Sequence, residues 1–385
     1  MDISKFTDQK TGQTIRISFP KEDCAFIPDP LPPEWVFPAE LWPLLAEAKQ
    51  ELARLDGIGR ALPNPELLLR PLQSREAMRS SSLEGTYATP QELLLFELNP
   101  RIPQSERDPA NDWLEVSNYS RSLRLGMDEL QKLPFCLRLI RELHKTLLSG
   151  GRGRDKTPGQ FRTTQVHIGS DFRFVPPPPD YLGDCLDHFE KRLNEDDPGY
   201  DPLVRCYLLH YQFEAIHPFL DGNGRVGRAL LALMIYQWCG LYMPWLYMSA
   251  FFERYKDEYI DNLFAVSARG AWHSWIEFCL RGTVLQARDS IIRCEELRRI
   301  RDRFHELSET AGPRAHPLVE GLFRAPIVTI PDIAARYSIS YPTAKSDIEN
   351  LVDLKILVEL SDARPKTFYS PEIFRAAYSD DAVGA

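Results

Sequence analysis

Apolar positions recur at helical spacing along most of this chain, and the places where that period breaks divide it into segments. From Ala39 to Leu98 the spacing predicts helices, with interruptions at Pro63, Pro65 and Pro71. Asp112 to Ser149 and Asp180 to Leu193 are again helical in pattern. Between them, Gly159 to Gly169 alternates, carries β-branched residues and is flanked by glycine, which predicts a short β-hairpin ended by the Pro176 to Pro179 run. Leu203 to Ala215 and Ala229 to Cys239 predict two more helices, the first closing and the second opening at the polar loop between them. Ahead of all this, Pro28-Asp29-Pro30-Leu31-Pro32-Pro33 within the first 35 residues reads as an extended arm lying on the body.

One stretch has the look of a membrane span. Ala229 to Phe252 carries no charge and is longer than the roughly 20 residues a bilayer crossing needs. Gly240 and Pro244 break it, Gln237 lies inside it, and its first turn must hold a polar loop in water. The pattern therefore predicts a buried helix to about Cys239 and a second short core segment, with no membrane insertion.

Composition narrows the class only slightly. A chain of 385 residues, 43% hydrophobic and 26% charged, predicts a soluble globular protein of two or three domains. The net charge of -9 argues against a protein that coats nucleic acid. Seven cysteines show no CxxC or other close pairing, so neither a disulfide framework nor a zinc site is expected. Met1-Asp2-Ile3-Ser4-Lys5 leads into polar sequence with no apolar signal core, which makes the cytoplasm the expected location.

The chemistry concentrates in His217-Pro218-Phe219-Leu220-Asp221-Gly222-Asn223-Gly224-Arg225-Val226-Gly227-Arg228. His217 is a candidate general base, because imidazole titrates near neutral pH and can take the proton of a Ser, Thr or Tyr hydroxyl. Asp221 supplies a hard oxygen suited to Mg²⁺, or a helix cap. Gly222, Asn223 and Gly224 open a helix, where backbone amides bind anions and glycine lets phosphate approach. Arg225 and Arg228, three apart on that helix, can neutralise outer phosphates.

These residues match HPFx(D/E)GNGRxxR at every fixed position, and the chain resembles the Fic-type nucleotidyltransferases. The likeness extends through Glu115-Val116 with Asn118-Tyr119, Glu142-Leu143-His144, Phe174-Val175-Pro176, His210 to Glu214 and Trp272 to Ile276, roughly residues 30 to 285. The resemblance implies a mainly α fold: a Fic-type helical bundle with a short β-hairpin flap over about 159–175 that docks the target protein. It implies transfer of AMP from ATP, with Mg²⁺, to a protein hydroxyl, and release of pyrophosphate. Tyr259 is implied on the base side, although Tyr255-Lys256 stands where relatives usually carry Asn-Arg. Ser80-Ser81-Ser82-Leu83-Glu84-Gly85 matches the family's inhibitory motif (S/T)xxxE(G/N), which implies that Glu84 pairs with Arg228 in the space of the γ-phosphate.

Beyond a charged helix from about Arg288 to Glu309 and a boundary at Gly312-Pro313, Ile330 to Tyr337, Tyr341 to Leu354 and the two runs Ile356 to Leu360 and Phe368-Tyr369 resemble a winged helix. The expected division is thus 1–110, an arm and helical region with the inhibitory helix; 111–285, the catalytic domain; 286–310, a linking helix; and 311–385, the winged helix. A nucleotide-sensing regulator that binds DNA is the competing reading, disfavoured by Asp347 and Glu349 beside Lys345. Homodimerisation stays open.

Overall fold

The computed structural model describes every residue except 8–9, 19, 62–64, 170–172, 196–198, 310, 362–364 and 380–385, together with the side chains of 66–68 and 154. The interruption expected at Pro63 and the tip of the expected flap lie outside the described residues. In chain order the strands β1 (Gly12–Ile17) and β2 (Asp23–Pro28) precede helices α1 (Trp42–Arg60), α2 (Pro65–Leu83), α3 (Pro90–Leu98), α4 (Ala110–Leu130) and α5 (Leu137–Leu147). Then come α6 (Pro179–Asn194), α7 (Pro202–Ile216), α8 (Asn223–Trp238), α9 (Ser249–Arg254), α10 (Lys256–Arg269) and α11 (Trp272–Ser308). The C-terminal part is α12 (Ala315–Arg324), β3 (Ile327–Thr329), α13 (Ile330–Arg336), α14 (Tyr341–Asp353), β4 (Val358–Leu360), β5 (Thr367–Tyr369) and α15 (Pro371–Tyr378).

Helices α7 and α8 form the centre. They are buried on nearly every face, as helices that are apolar all round must be. Around them Trp245, Trp275, Tyr207, Tyr211, Phe251 and Phe252 are fully enclosed. Most of their polar tips are paired: Tyr211 Oη lies 2.8 Å from Ser267 Oγ, and Trp275 Nε1 donates to the Tyr207 carbonyl at 3.0 Å, whereas the buried Trp245 Nε1 has no partner among the described residues. Such pairing removes the cost of a buried donor without a partner.

Helix α2 crosses this body and ends beside the polar loop. Its Glu76 is buried, and burial pushes the carboxyl up; it accepts from Tyr119 Oη at 2.8 Å and from Ser249 N and Oγ at 3.1 and 2.5 Å. Arg79 and Ser82 both reach Glu253 on α9, the former at 2.7 Å. Arg75 pairs with Asp289 on α11 at 2.8 Å, and Asp289 in turn holds buried Arg293, which donates to the carbonyls of Ala376 and Ser379 at 3.0 and 2.9 Å. The expected interruption at Pro71 is absent: the helix runs through it, at the loss of one backbone hydrogen bond.

Three further expectations need correcting. The N-terminal arm is a hairpin, with β1 and β2 antiparallel in register from Gly12↔Pro28 to Ile17↔Asp23, and Phe26 N donating to Val175 O at 2.8 Å. The proline run begins only where β2 ends, and the alternation of Ile15, Arg16 and Ile17 in β1 was the better signal. The flap is not a hairpin from Gly159: one antiparallel bridge joins Ile168 and Phe174, and 160–167 is irregular. Carbonyls there go to side chains instead, Thr164 O to Arg162 Nη1 and Pro176 O to Gln165 Nε2. Finally, α11 runs unbroken from Trp272 to Ser308, across the boundary expected at 285/286, so the expected linking segment continues the helix that begins at Trp272.

At the C-terminus β5 lies between β3 and β4, both antiparallel to it. Ser340 caps α14 through Thr343 N, and three of the four charged residues of α14 are paired: Asp347 with Arg314 at 2.7 Å, and Lys345 with Glu349 at 3.6 Å.

Candidate active site

Helix α7 stops at His217, whose backbone takes the left-handed conformation, φ 50°, ψ 61°. That conformation costs a non-glycine residue about 1 kcal/mol and must be held. Arg162 holds it: its Nε donates to the His217 carbonyl and its backbone N to the Pro218 carbonyl, each at 2.9 Å. Asn223 closes the loop from the other side, accepting from Phe219 N at 2.8 Å and donating to Phe219 O at 2.9 Å. Its side chain is therefore a staple, and what remains for an anion is the backbone at the start of α8. Gly222, at φ 76°, makes the turn into that helix.

His144 braces the same loop. Its Nδ1 accepts from Gly159 N at 2.9 Å, so Nε2 carries the hydrogen and donates to the Asp221 carbonyl at 3.0 Å. Its ring stacks on Phe219, centroids 3.7 Å apart. Arg162 and the bracing role of His144 escaped the sequence reading because their partners are backbone atoms up to 77 residues away.

His217 faces a cavity of about 480 Å³. At one end lie Glu84, Glu214, Gly224 and Arg228; at the other, Ile168, Phe174, Ile260, Leu263 and Phe264. Burial, then the Arg162 charge, depress the His217 imidazole to about 4 against the pull of Glu84. The ring is thus neutral at pH 7 and free to accept a proton. Tyr259 lines the cavity with its hydroxyl engaged by His210 Nε2 at 2.9 Å and its ring stacked on Phe252 at 4.3 Å.

Arg228 is buried and triply held: Nε to Ser80 Oγ, Nη2 to Ser80 O and Nη2 to Glu84 Oε1, all at 2.8 Å. Burial pushes the Glu84 carboxyl up, but the Arg228 charge and hydrogen bond bring it net below its ordinary value; burial lowers Arg228, and Glu84 more than offsets this. Glu84 follows the last residue of α2, and Gly85, at φ 86°, turns the chain away. The Glu84 carboxylate sits over Gly224, where any Cβ would collide with it.

On the other side of Glu84 is a second, polar cavity of about 340 Å³ that includes Asp221 and Arg225. Asp221 Oδ1 accepts from Gly222 N at 2.6 Å and lies 3.7 Å from Arg225, while Oδ2 has no protein partner among the described residues. No cluster of three or more metal-type side chains exists among the described residues. A divalent ion here would need oxygens from a phosphate ligand and water, which is how Mg²⁺ is usually held.

Residues 42–128 match the Fic/DOC family N-terminal model and residues 134–235 the Fic/DOC family model. A protein adenylyltransferase Fic of Drosophila grimshawi is 39% identical over 158 residues, 40% of this chain and 31% of that protein. Protein adenylyltransferase fic-1 of Caenorhabditis elegans is 38% identical over 97 residues, 25% of this chain and 18% of that one. The chain thus spans under a third of the length of these curated relatives. Among solved structures, a Fic family protein from Desulfovibrio desulfuricans G20 aligns at TM-score 0.57 and 18% identity, covering 88% of this chain and 98% of that one. Residues 134–508 of C. elegans Fic-1 align at TM-score 0.53 and 20% identity, covering 66% and 73%. The chain carries the Fic N-terminal and Fic domains on a Fic-type, mainly helical fold.

Proposed function

We propose that this chain, as a carrier of the Fic N-terminal and Fic domains, is a self-inhibited protein adenylyltransferase. The observation that carries the reading is the convergence, on one cavity, of a neutral His217, the amide-rich start of α8 and an Arg228 whose guanidinium is already occupied by Glu84. A target hydroxyl, Ser, Thr or Tyr, gives its proton to His217 while its oxygen attacks the α-phosphorus of ATP. The bond from that phosphorus to the β-bridging oxygen breaks, the electron pair leaves with diphosphate, and AMP stays on the protein. The α8 start and the two arginines stabilise the spreading negative charge. The apolar end of the cavity suits a base, and the segment about 159–175 borders it where a target would dock. Mg²⁺, when bound at Asp221, would supply positive charge to the phosphate oxygens. The second reading, a DNA-binding regulator, gains no support from an α14 whose one cation, Lys345, is paired with Glu349. No helix among the described residues is long and apolar enough to cross a membrane; the cytoplasm is the location proposed.

The direct test is mass spectrometry of the chain and of lysate proteins after incubation with Mg²⁺ and labelled ATP; absence of any nucleotide adduct under all conditions would sink the proposal. Asp221→Ala should weaken Mg²⁺-dependent nucleotide binding as well as turnover. Identical Mg²⁺ titrations in parent and variant would remove the ligand role. The pH profile gives a third check. Because the folded His217 sits near 4, its base form is fully present well below the ordinary imidazole value of about 6.5 and is lost only as pH falls toward 4. kcat/KM should therefore hold between pH 8 and 6 on this account, whereas a limb centred near 6.5 would show an imidazole exposed to water during turnover.

A further inference from the structure

Helix α2 ends at Glu84 and is held from two sides. Toward the interior, Glu76 meets Tyr119 and Ser249, and Ser80, one turn later, holds Arg228. On its other side α2 packs against α12 and α15, from a C-terminal part of the chain that the transfer chemistry does not use. Two residues of α2 turn that way. The Ser74 hydroxyl faces the buried Tyr378 hydroxyl of α15, and Arg75 Nη1 donates to Asp289 Oδ2 of α11 at 2.8 Å.

Asp289 is a shared acceptor. Its two oxygens also accept from Arg293 Nε, at 3.1 and 3.0 Å, while Arg293 Nη1 and Nη2 donate to the Ala376 and Ser379 carbonyls at the end of α15, at 3.0 and 2.9 Å. A helix leaves its last carbonyls without partners, and a cation suits them. Arg293 is 1% exposed and Asp289 3%. Burying two charges is costly, and apolar side chains of similar volume would serve packing as well. What the charges add is direction, because one carboxylate ties α2 and α15 to the same turn of α11. Glu84 lies nine residues beyond Arg75, on a helix unbroken to Leu83. At 1.5 Å per residue the separation is about 14 Å, so a shift of the helix that lifts Glu84 from Arg228 also breaks the tie at Arg75.

We propose that Asp289 and Arg293 are positioning residues for the brake: through Arg75 they seat α2 so that Glu84 meets Arg228, and α15 thereby sets how often the site opens. The inference rests on the self-inhibited reading and extends it from the contact at Arg228 to what holds that contact in place. Arg75, Asp289 and Arg293 line neither cavity beside Glu84, so they act through α2 and not on the nucleotide.

The experiment measures protein labelling from α-labelled ATP by full chains carrying Arg75→Met, Arg293→Met or Asp289→Asn, each with Glu84 present and in Glu84→Gly. Thermal melting and amide hydrogen exchange over residues 74–84 accompany it. Arg75→Met, which leaves the Asp289 to Arg293 pair whole, should raise transfer about fivefold, the worth of one net hydrogen bond, and speed exchange over 74–84. Arg75→Lys should restore part of the control, and Arg293→Met and Asp289→Asn should also raise transfer. In Glu84→Gly none of them should alter the rate, because no brake is left to seat. An equal change in both backgrounds, up or down, overturns the proposal, since the residues would then act on the fold at large. An unchanged rate in Arg75→Met also overturns it, because Glu84 would then leave by unwinding of the last turn alone. A gain in Arg75→Met without one in Arg293→Met takes α15 out of the control. If Asp289→Asn melts too low to assay, the Arg75→Met and Arg75→Lys chains decide. A Glu84→Gly chain no faster than the parent removes the brake itself, and this inference with it.

Discussion

Replacing Glu84 by glycine should raise nucleotide transfer, to the chain itself or to added protein, by roughly 10- to 100-fold. The upper bound follows from what a single transition-state arginine contributes elsewhere, about 10³ to 10⁵ in rate. Here only part of that is withheld, because Arg228 is already in place and only its guanidinium is occupied. The 2.8 Å contact is charge-assisted, and Glu84 both takes the hydrogen bond a phosphate would take and repels that phosphate. Ser80 keeps two of the Arg228 bonds in the variant, so the arginine should stay put and the effect should appear in catalysis rather than in folding. Rates of parent and variant that coincide across ATP concentrations would show that control lies elsewhere.

The second large effect is expected at His217. Alanine there should lower transfer by about 10² to 10⁴, the usual worth of a positioned base, with ATP affinity nearly unchanged because the phosphate contacts lie on α8. The same replacement should erase the gain of Glu84→Gly. A single variant that still modifies protein at the parent rate would take His217 out of the mechanism. The left-handed backbone at 217 favours this test: alanine tolerates it about as poorly as histidine, so Arg162 and Phe213 must hold either residue.

What the sequence made legible follows from where each partner lies. The loop from His217 to Arg228 carries its chemistry in contiguous residues, so roles could be assigned to Asp221, Gly222, Gly224, Arg225 and Arg228 before any geometry was known. Helices α7 and α8 were legible because their apolar positions are dense and their ends are marked by Pro202 and Gly222. Asn223 was read as part of an anion hole, but its amide side chain is spent on Phe219, a local closure that motif spacing does not reveal. Arg162, Glu115 and the bracing role of His144 depend on contacts across tens of residues and on backbone acceptors, for which composition and periodicity offer no signal. The β1–β2 hairpin was overlooked for the opposite reason, since a conspicuous proline run drew the reading away from a short alternating strand.

The central claim is that a braked site moves AMP, and label position tests it most directly. The Glu84→Gly chain should be incubated with Mg²⁺ and ATP labelled either at the α- or at the γ-phosphate, and the label retained on protein measured for it, for the parent and for Glu84→Gly/His217→Ala. The account predicts α-label retained by Glu84→Gly well above the parent, γ-label released as diphosphate, and neither retained in the double variant. Retention of the γ-label on protein, or α-label equal in parent and Glu84→Gly, would contradict it.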